Sequence, residues 1–164
     1  MNRRPELNLP KTKFAKAAEK SSFLLAGYML IDSILAWDAL PDQIPVHFTV
    51  FGDSGHVGGK AGIFIFPIIG FFSALFFSFA SKGASMLNYP IKITEENAEQ
   101  VYRETRRMLH ILQLLIAVML TLLHTDVVLK AYEKTGLGSW MMPAFLILLV
   151  GTIGFFMYRL AKIK

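Results

Sequence analysis

A chain of 164 residues that is 54% hydrophobic, with 14 phenylalanines and a mean hydropathy of +0.46, carries more apolar surface than a soluble domain of its size accommodates. The absence of cysteine excludes disulfides, thiolate metal sites and thiol nucleophiles. The net charge of +5 does not point to nucleic acid, because the basic residues stand at the ends of apolar runs rather than in a patch interleaved with aromatics.

Residues 1–20 form a polar arm bearing Arg3, Arg4, Lys11, Lys13, Lys16 and Lys20. The apolar segment that follows is too long for a signal-peptide core and has no small-x-small cleavage site, so it reads as an uncleaved first helix. Crossing the ~30 Å hydrocarbon core takes about 20 mostly apolar residues. Four stretches meet this: 21–40, 61–80, 108–127 and 139–158. The second and fourth contain no charged side chain, and the first is interrupted by Asp32 and Asp38. The predicted architecture is an all-α integral membrane protein. A single four-transmembrane-helix bundle covers 21–164, with a structured extracellular loop at 41–60 and a cytoplasmic helical link at 81–107.

Lysine and arginine set the orientation. The arm, the link and the C-terminal tail hold 14 of the 17 basic residues, leaving only Lys60, Lys130 and Lys134 on the other side. The positive-inside rule therefore predicts both termini in the cytoplasm of a bacterial plasma membrane. In the link, Thr94 is the expected N-cap, with Glu95 and Glu96 in the first turn where the helix dipole favours anions. From there to Arg107 the segment reads as a solvated extension of the third helix. Pro67 and Pro143 fall within spans, where neighbouring helices would satisfy the freed carbonyl. Gly70 and Ala74, and Gly151 and Gly154, are expected to let helices approach closely.

The outer loop is the most distinctive stretch. Pro41 and Pro45 in Leu40-Pro41-Asp42-Gln43-Ile44-Pro45-Val46-His47-Phe48 hold the backbone extended. Ile44, Val46, Phe48 and Val50 then alternate as in a short strand, and Gly52 to Gly55 is turn chemistry. A lid over the outer face of the bundle is expected.

This run, followed by Gly58-Gly59-Lys60 at the mouth of the second span, resembles the small membrane domain of unknown function at the N-terminus of SdpI-type bacteriocin immunity proteins. The segment Tyr89–Leu109 is also similar to that family's cytoplasmic link. The resemblance covers Leu40 to Leu109 well and the fourth span weakly. It departs at Gly55, where the family often has an acidic residue. It implies a membrane fold and a protective role against a secreted peptide toxin, with no established chemistry.

Several side chains are candidates for function. An aspartate inside a span costs about 2.5–3.5 kcal/mol on insertion scales, which marks Asp32. It is either a buried carboxyl, protonated or hydrogen-bonded to Tyr or Ser, that locks packing, or a proton or ligand site. At about 100° per residue, His110, Gln113, Ala117, Thr121 and His124 fall within roughly 80° of one another, while Asp126 points away. That polar stripe is either interhelical hydrogen bonding or the wall of a ligand cleft. The expected ligand-binding residues are His47, Asp42, His56, Asp32, Gln113, Thr121 and His124. No cofactor is expected. The weak candidates for a divalent metal such as zinc are His47, His56 and His124, with Asp38 or Asp42 beside them. No G-x-S-x-G, P-loop or dinucleotide fingerprint occurs, which argues against an enzyme.

The sequence thus favours a membrane-embedded protein with a binding or protective role at the envelope. Its partners would be the bilayer and a hydrophobic peptide or other envelope ligand. The alternatives are a subunit of a proton- or ion-coupled transporter, which would assemble as a homo-oligomer, and a metal-dependent membrane enzyme.

Overall fold

The computed structural model describes residues 4–48 and 54–163, with side chains at 4–44 and 58–163. Helix α1 (Lys13–Ala36) leads into a hairpin of β1 (Gln43–Phe48) and β2 (Ser54–Gly59). A 3-10 turn at Lys60–Phe64 opens α2 (Ile65–Lys82), and α3 (Ala98–Ala131) and α4 (Met141–Ala161) follow. Among the described residues, three helical segments are long and apolar enough to cross a membrane: Lys60–Lys82, Ala98–Ala131 and Met141–Ala161, with mean hydropathies of 2.3, 2.0 and 2.0.

Helix α1 starts at Lys13, eight residues before the apolar run, because Thr12 caps it by accepting from the Ala15 amide (3.1 Å). The second half of the basic arm is therefore helical, with Ala15 and Ala18 buried. Gly70 lets α1 and α2 meet, since a Cβ there would lie 2.9 Å from Met29 Cε. Gly151 and Gly154 do not serve the same purpose in α4, where a Cβ at either would meet nothing within 4 Å. That helix packs on α3 along a narrow seam that includes Phe156 and Leu160, and neither glycine is in close contact with it. Pro67 and Pro143 are each the third residue of their helix. In the first turn a missing N–H leaves no carbonyl unsatisfied, so neither residue requires help from a neighbouring helix.

One end of the bundle is closed by the hairpin. Ile44 and Ile63, both fully buried, join Met29, Leu40, Phe66 and Val127 in one apolar cluster. Burying a side chain such as Ile44 contributes about 2 kcal/mol where water is the alternative. Lys60 closes the hairpin base, its amide donating to Asp42 O (3.0 Å) and its ammonium lying 4.8 Å above the Trp37 ring. The register pairs Gln43 with Gly59, Ile44 with Gly58, Pro45 with Val57, His47 with His56 and Phe48 with Ser54. One extra residue on each strand, Val46 and then Gly55, makes two offsetting bulges. The two-residue period expected along Ile44, Val46 and Phe48 is therefore interrupted, and Val50 lies outside the described residues. The segment read as glycine-rich turn becomes strand from Ser54, because its backbone groups pair with β1.

The end away from the hairpin is a packed cluster rather than a solvated link. Ala84, Ala98, Val101, Tyr102 and Leu160 are buried together, with Leu9 and Tyr89 packed against them. Arg4 donates to Leu87 O, and the Tyr89 hydroxyl donates to Ala84 O (2.6 Å). Burial pushes the Tyr89 phenol above its ordinary pKa of 10.0. Thr94 and Asn97 cap reciprocally, Thr94 N donating to Asn97 Oδ1 (2.9 Å) and Asn97 N to Thr94 Oγ1 (3.3 Å). Regular helix begins only at Ala98, so Glu95 and Glu96 sit in the turn ahead of it and Glu99 alone is in the first turn. The extension expected to be wetted all round buries Val101, Tyr102 and Thr105 on one face.

Candidate functional site

The interior polar groups lie mainly on α3, and two of them reach other helices. His110, Gln113, Ala117 and His124 are each no more than 1% exposed. Thr121 is half-buried, and its hydroxyl donates back to Ala117 O (2.8 Å), which absorbs it within its own helix. The helical phase that lines these residues up therefore points them into the bundle.

At the level of His124, the ring Nε2 lies 2.9 Å from Asp32 Oδ2 of α1. An ionised Asp32 accepts here from Nε2–H. The other ring nitrogen, Nδ1, is buried and has no hydrogen-bond partner among the described residues. Phe66 of α2 seals the ring on another side, edge to face at 5.9 Å. Asp32 is thus partnered by a histidine 92 residues away rather than by Tyr28 or a serine. Its side chain remains 33% exposed, so the pair is reachable from outside the helix contact. Chemically, a carboxylate and an imidazole in a poorly hydrated contact can hold one proton between them or pass it on.

Farther from the hairpin, Gln113 bridges α3 and α2. Its Nε2 donates to Ala74 O (3.1 Å) and Ser78 Oγ (3.3 Å). Because a carbonyl only accepts, this orientation leaves Gln113 Oε1 as the acceptor for His110 Nδ1–H at 3.1 Å. His110 Nε2 is then a bare lone pair, buried and unpartnered among the described residues.

The remaining candidates are dispersed. The Asp42 carboxylate is 98% exposed and lies 3.8 Å from Lys60 Nζ. Asp38 is exposed as well. The strand register sets His47 opposite His56, and their side chains lie outside the described residues. His124 is engaged with Asp32 and does not gather with Asp38 or Asp42. Among the described residues no three His, Asp or Glu side chains converge in a way that would hold a metal ion.

Asp126, off the polar stripe by phase, is nevertheless fully buried. Its Oδ1 accepts from Leu137 N (2.6 Å) and its Oδ2 pairs with Lys130 (2.8 Å). The carboxylate staples the α3–α4 connection back onto α3, a role its spacing from Lys130 hints at and its distance from Leu137 hides.

An apolar groove of about 430 Å³ opens between α1 and α2, lined by Phe23, Gly27, Leu30, Pro67, Ile68 and Phe71. Phe23 and Phe71 meet edge to face at 5.7 Å. Gly27 keeps part of its wall open, since a Cβ there would meet nothing within 4 Å.

Comparison with known proteins touches this same unit. No curated protein and no solved structure matches the chain. A family model described as a domain of unknown function (DUF1648) matches residues 24–71, which is 48 of the 164. The matched segment runs from the body of α1 through the hairpin into α2, and contains Asp32 and most of the groove but not His124. Over that segment the chain is similar to a family whose function is unknown.

Proposed function

We propose that this chain is a four-span protein of a bacterial plasma membrane, with both termini in the cytoplasm, that captures a hydrophobic, membrane-active peptide and so protects the envelope. The observation that carries the reading is the apolar groove between α1 and α2. It opens sideways, where a ligand already dissolved in the bilayer would arrive, and it coincides with the family-matched unit. The resemblance to immunity proteins supports the protective role.

Treating α1 as the fourth span is supported by its helical residues past the charged arm, 21–36, about 24 Å at 1.5 Å per residue, which Trp37–Leu40 extend. It presents Leu24, Leu30, Ile31, Ile34 and Leu35 outward, and its mid-helix carboxylate is paired with His124. The 14-to-3 division of basic residues supports the orientation. A deletion strain challenged with a panel of membrane-active peptides tests the function. Hypersensitivity to at least one peptide, reversed by the intact gene, is the expected result. Equal survival of deletion and parent across the panel would refute it.

A second reading, proton-coupled ion handling, is favoured by the Asp32–His124 contact. It requires proton flux in vesicles that Asp32→Asn abolishes, and vesicles as tight as protein-free ones would dismiss it.

A further inference from the structure

A trough of about 520 Å³ lies between α3 and α4, with walls that include Ile111, Ile147, Leu148, Gly151 and Phe155. Its walls are apolar apart from Thr152 and, at one end, Arg107 of α3 and Arg159 of α4. From Ile147 to Arg159 along α4 is 12 residues, about 18 Å at 1.5 Å per residue. One leaflet of a ~30 Å hydrocarbon core is about 15 Å deep. Two guanidiniums at headgroup level above an apolar channel one leaflet long match the shape and charge of a single phospholipid.

The charge at the Arg107–Arg159 end is in excess. Arg103 is paired with Glu99 (2.7 Å) and Arg159 with Glu104 (2.8 Å). Arg106 donates to a backbone carbonyl, Leu9 O (2.6 Å), and Arg107 has no hydrogen-bonding or ionic partner among the described residues. At the trough itself, Arg107 and Arg159 against Glu104 leave a net charge of +1. Arg107 also lines a second cavity of about 490 Å³, between the start of α1 and the first half of α3, shared with Arg103 and Arg106. The exposed guanidinium therefore sits between two openings, with an acyl-shaped channel on one side and further positive charge on the other.

We infer that the α3–α4 trough is a binding site for an anionic phospholipid of the cytoplasmic leaflet, its phosphate held by Arg107 and Arg159 and one acyl chain laid over Gly151. The site is separate from the α1–α2 groove, and nothing in it depends on the peptide-capture reading. Arg107 supplies charge at the surface, and Gly151 leaves the channel floor without a side chain.

The test uses the purified full-length chain in detergent, with lipid retention read by native mass spectrometry. Dioleoylphosphatidylglycerol, dioleoylphosphatidylcholine and soluble glycerol 3-phosphate are the probes. Phosphatidylglycerol is expected to be retained at least fivefold over phosphatidylcholine. Arg107→Gln should reduce that preference about fivefold, the worth of one basic residue at an anionic surface, and Arg107→Lys should restore most of it. Gly151→Phe should reduce phosphatidylglycerol retention with the arginines intact, and glycerol 3-phosphate should not compete. Equal retention of the two lipids, an Arg107→Gln variant that behaves as the parent, or an unaffected Gly151→Phe variant would overturn the assignment. Competition by glycerol 3-phosphate at the same concentration as the lipid would show a soluble-anion site and would overturn it equally.

Discussion

Replacing Gln113 with leucine removes one side chain that serves two helices. The amide of Gln113 ties α3 to α2 through Ala74 O and Ser78 Oγ, and its oxygen is the hydrogen-bond partner of His110. Ala74 O stands mid-helix in α2 and Ser78 can turn its hydroxyl, so those ends relax at little cost. His110 cannot. Its Nε2 already lacks a partner, and without Gln113 its Nδ1–H is left unsatisfied in a site 1% exposed. Leaving a buried donor unmade costs about 1–3 kcal/mol, whereas interhelical hydrogen bonds inside membranes average about 0.6 kcal/mol. The two figures bracket an expected loss of about 1–2 kcal/mol, a factor of roughly 5–30 in the folding equilibrium. Reversible unfolding in mixed micelles, followed by circular dichroism, reads this directly. Val118→Leu, on the exposed side of the same helix, should change stability by less than about 0.5 kcal/mol. The double variant His110→Phe with Gln113→Leu should recover most of the loss, because both partners are then apolar. A Gln113→Leu protein as stable as Val118→Leu, or a double variant worse than the sum of its singles, would refute the bridging role.

Other consequences are simpler to read. The chain has no cysteine, so single cysteines report topology cleanly. One at exposed Asp42 should react with an impermeant thiol reagent in intact cells, and one at Met86, 83% exposed, only after lysis. Asp126→Ala should cost about 1–3 kcal/mol by freeing the Leu137 amide and the α3–α4 connection, seen as proteolysis at 132–140 that the parent resists. Tyr89 has its folded-state pKa raised, so the neutral phenol stabilises the packed cluster around it fully below pH 10.0 and is lost as pH climbs through the raised value. Unfolding should therefore steepen above about pH 10 in the parent and less so in Tyr89→Phe.

Much of the helical frame could be read from single residues. The 80° clustering of the α3 polar groups follows from helix geometry alone, and those side chains do face inward. The partner of His124 could not be read, because it stands on another helix 92 residues earlier and helix crossing decides the match. The His110–Gln113 contact was within reach, since a spacing of three is itself a helix contact. Strand β2 was illegible for a different reason. Ser-Gly-His-Val-Gly-Gly has little intrinsic strand preference, and the strand exists through backbone pairing with β1. Gly151 and Gly154 look like packing glycines in sequence, yet the structure leaves them open, because small residues mark a helix seam only where a neighbour is present. Arg107 and Arg159 reported topology as members of a count, and only the trough between α3 and α4 shows them lining one channel.

If the α1–α2 groove holds the ligand, filling it should abolish protection. Gly27→Phe places a ring where a Cβ meets nothing within 4 Å, so the bundle should tolerate it while the groove is occupied. The measurement is survival of the deletion strain, complemented with parent or Gly27→Phe gene at matched membrane abundance, against the peptide to which the deletion is sensitive. The account predicts that the parent gene restores resistance and the Gly27→Phe gene leaves the strain as sensitive as the deletion. Full resistance with the groove filled would contradict it.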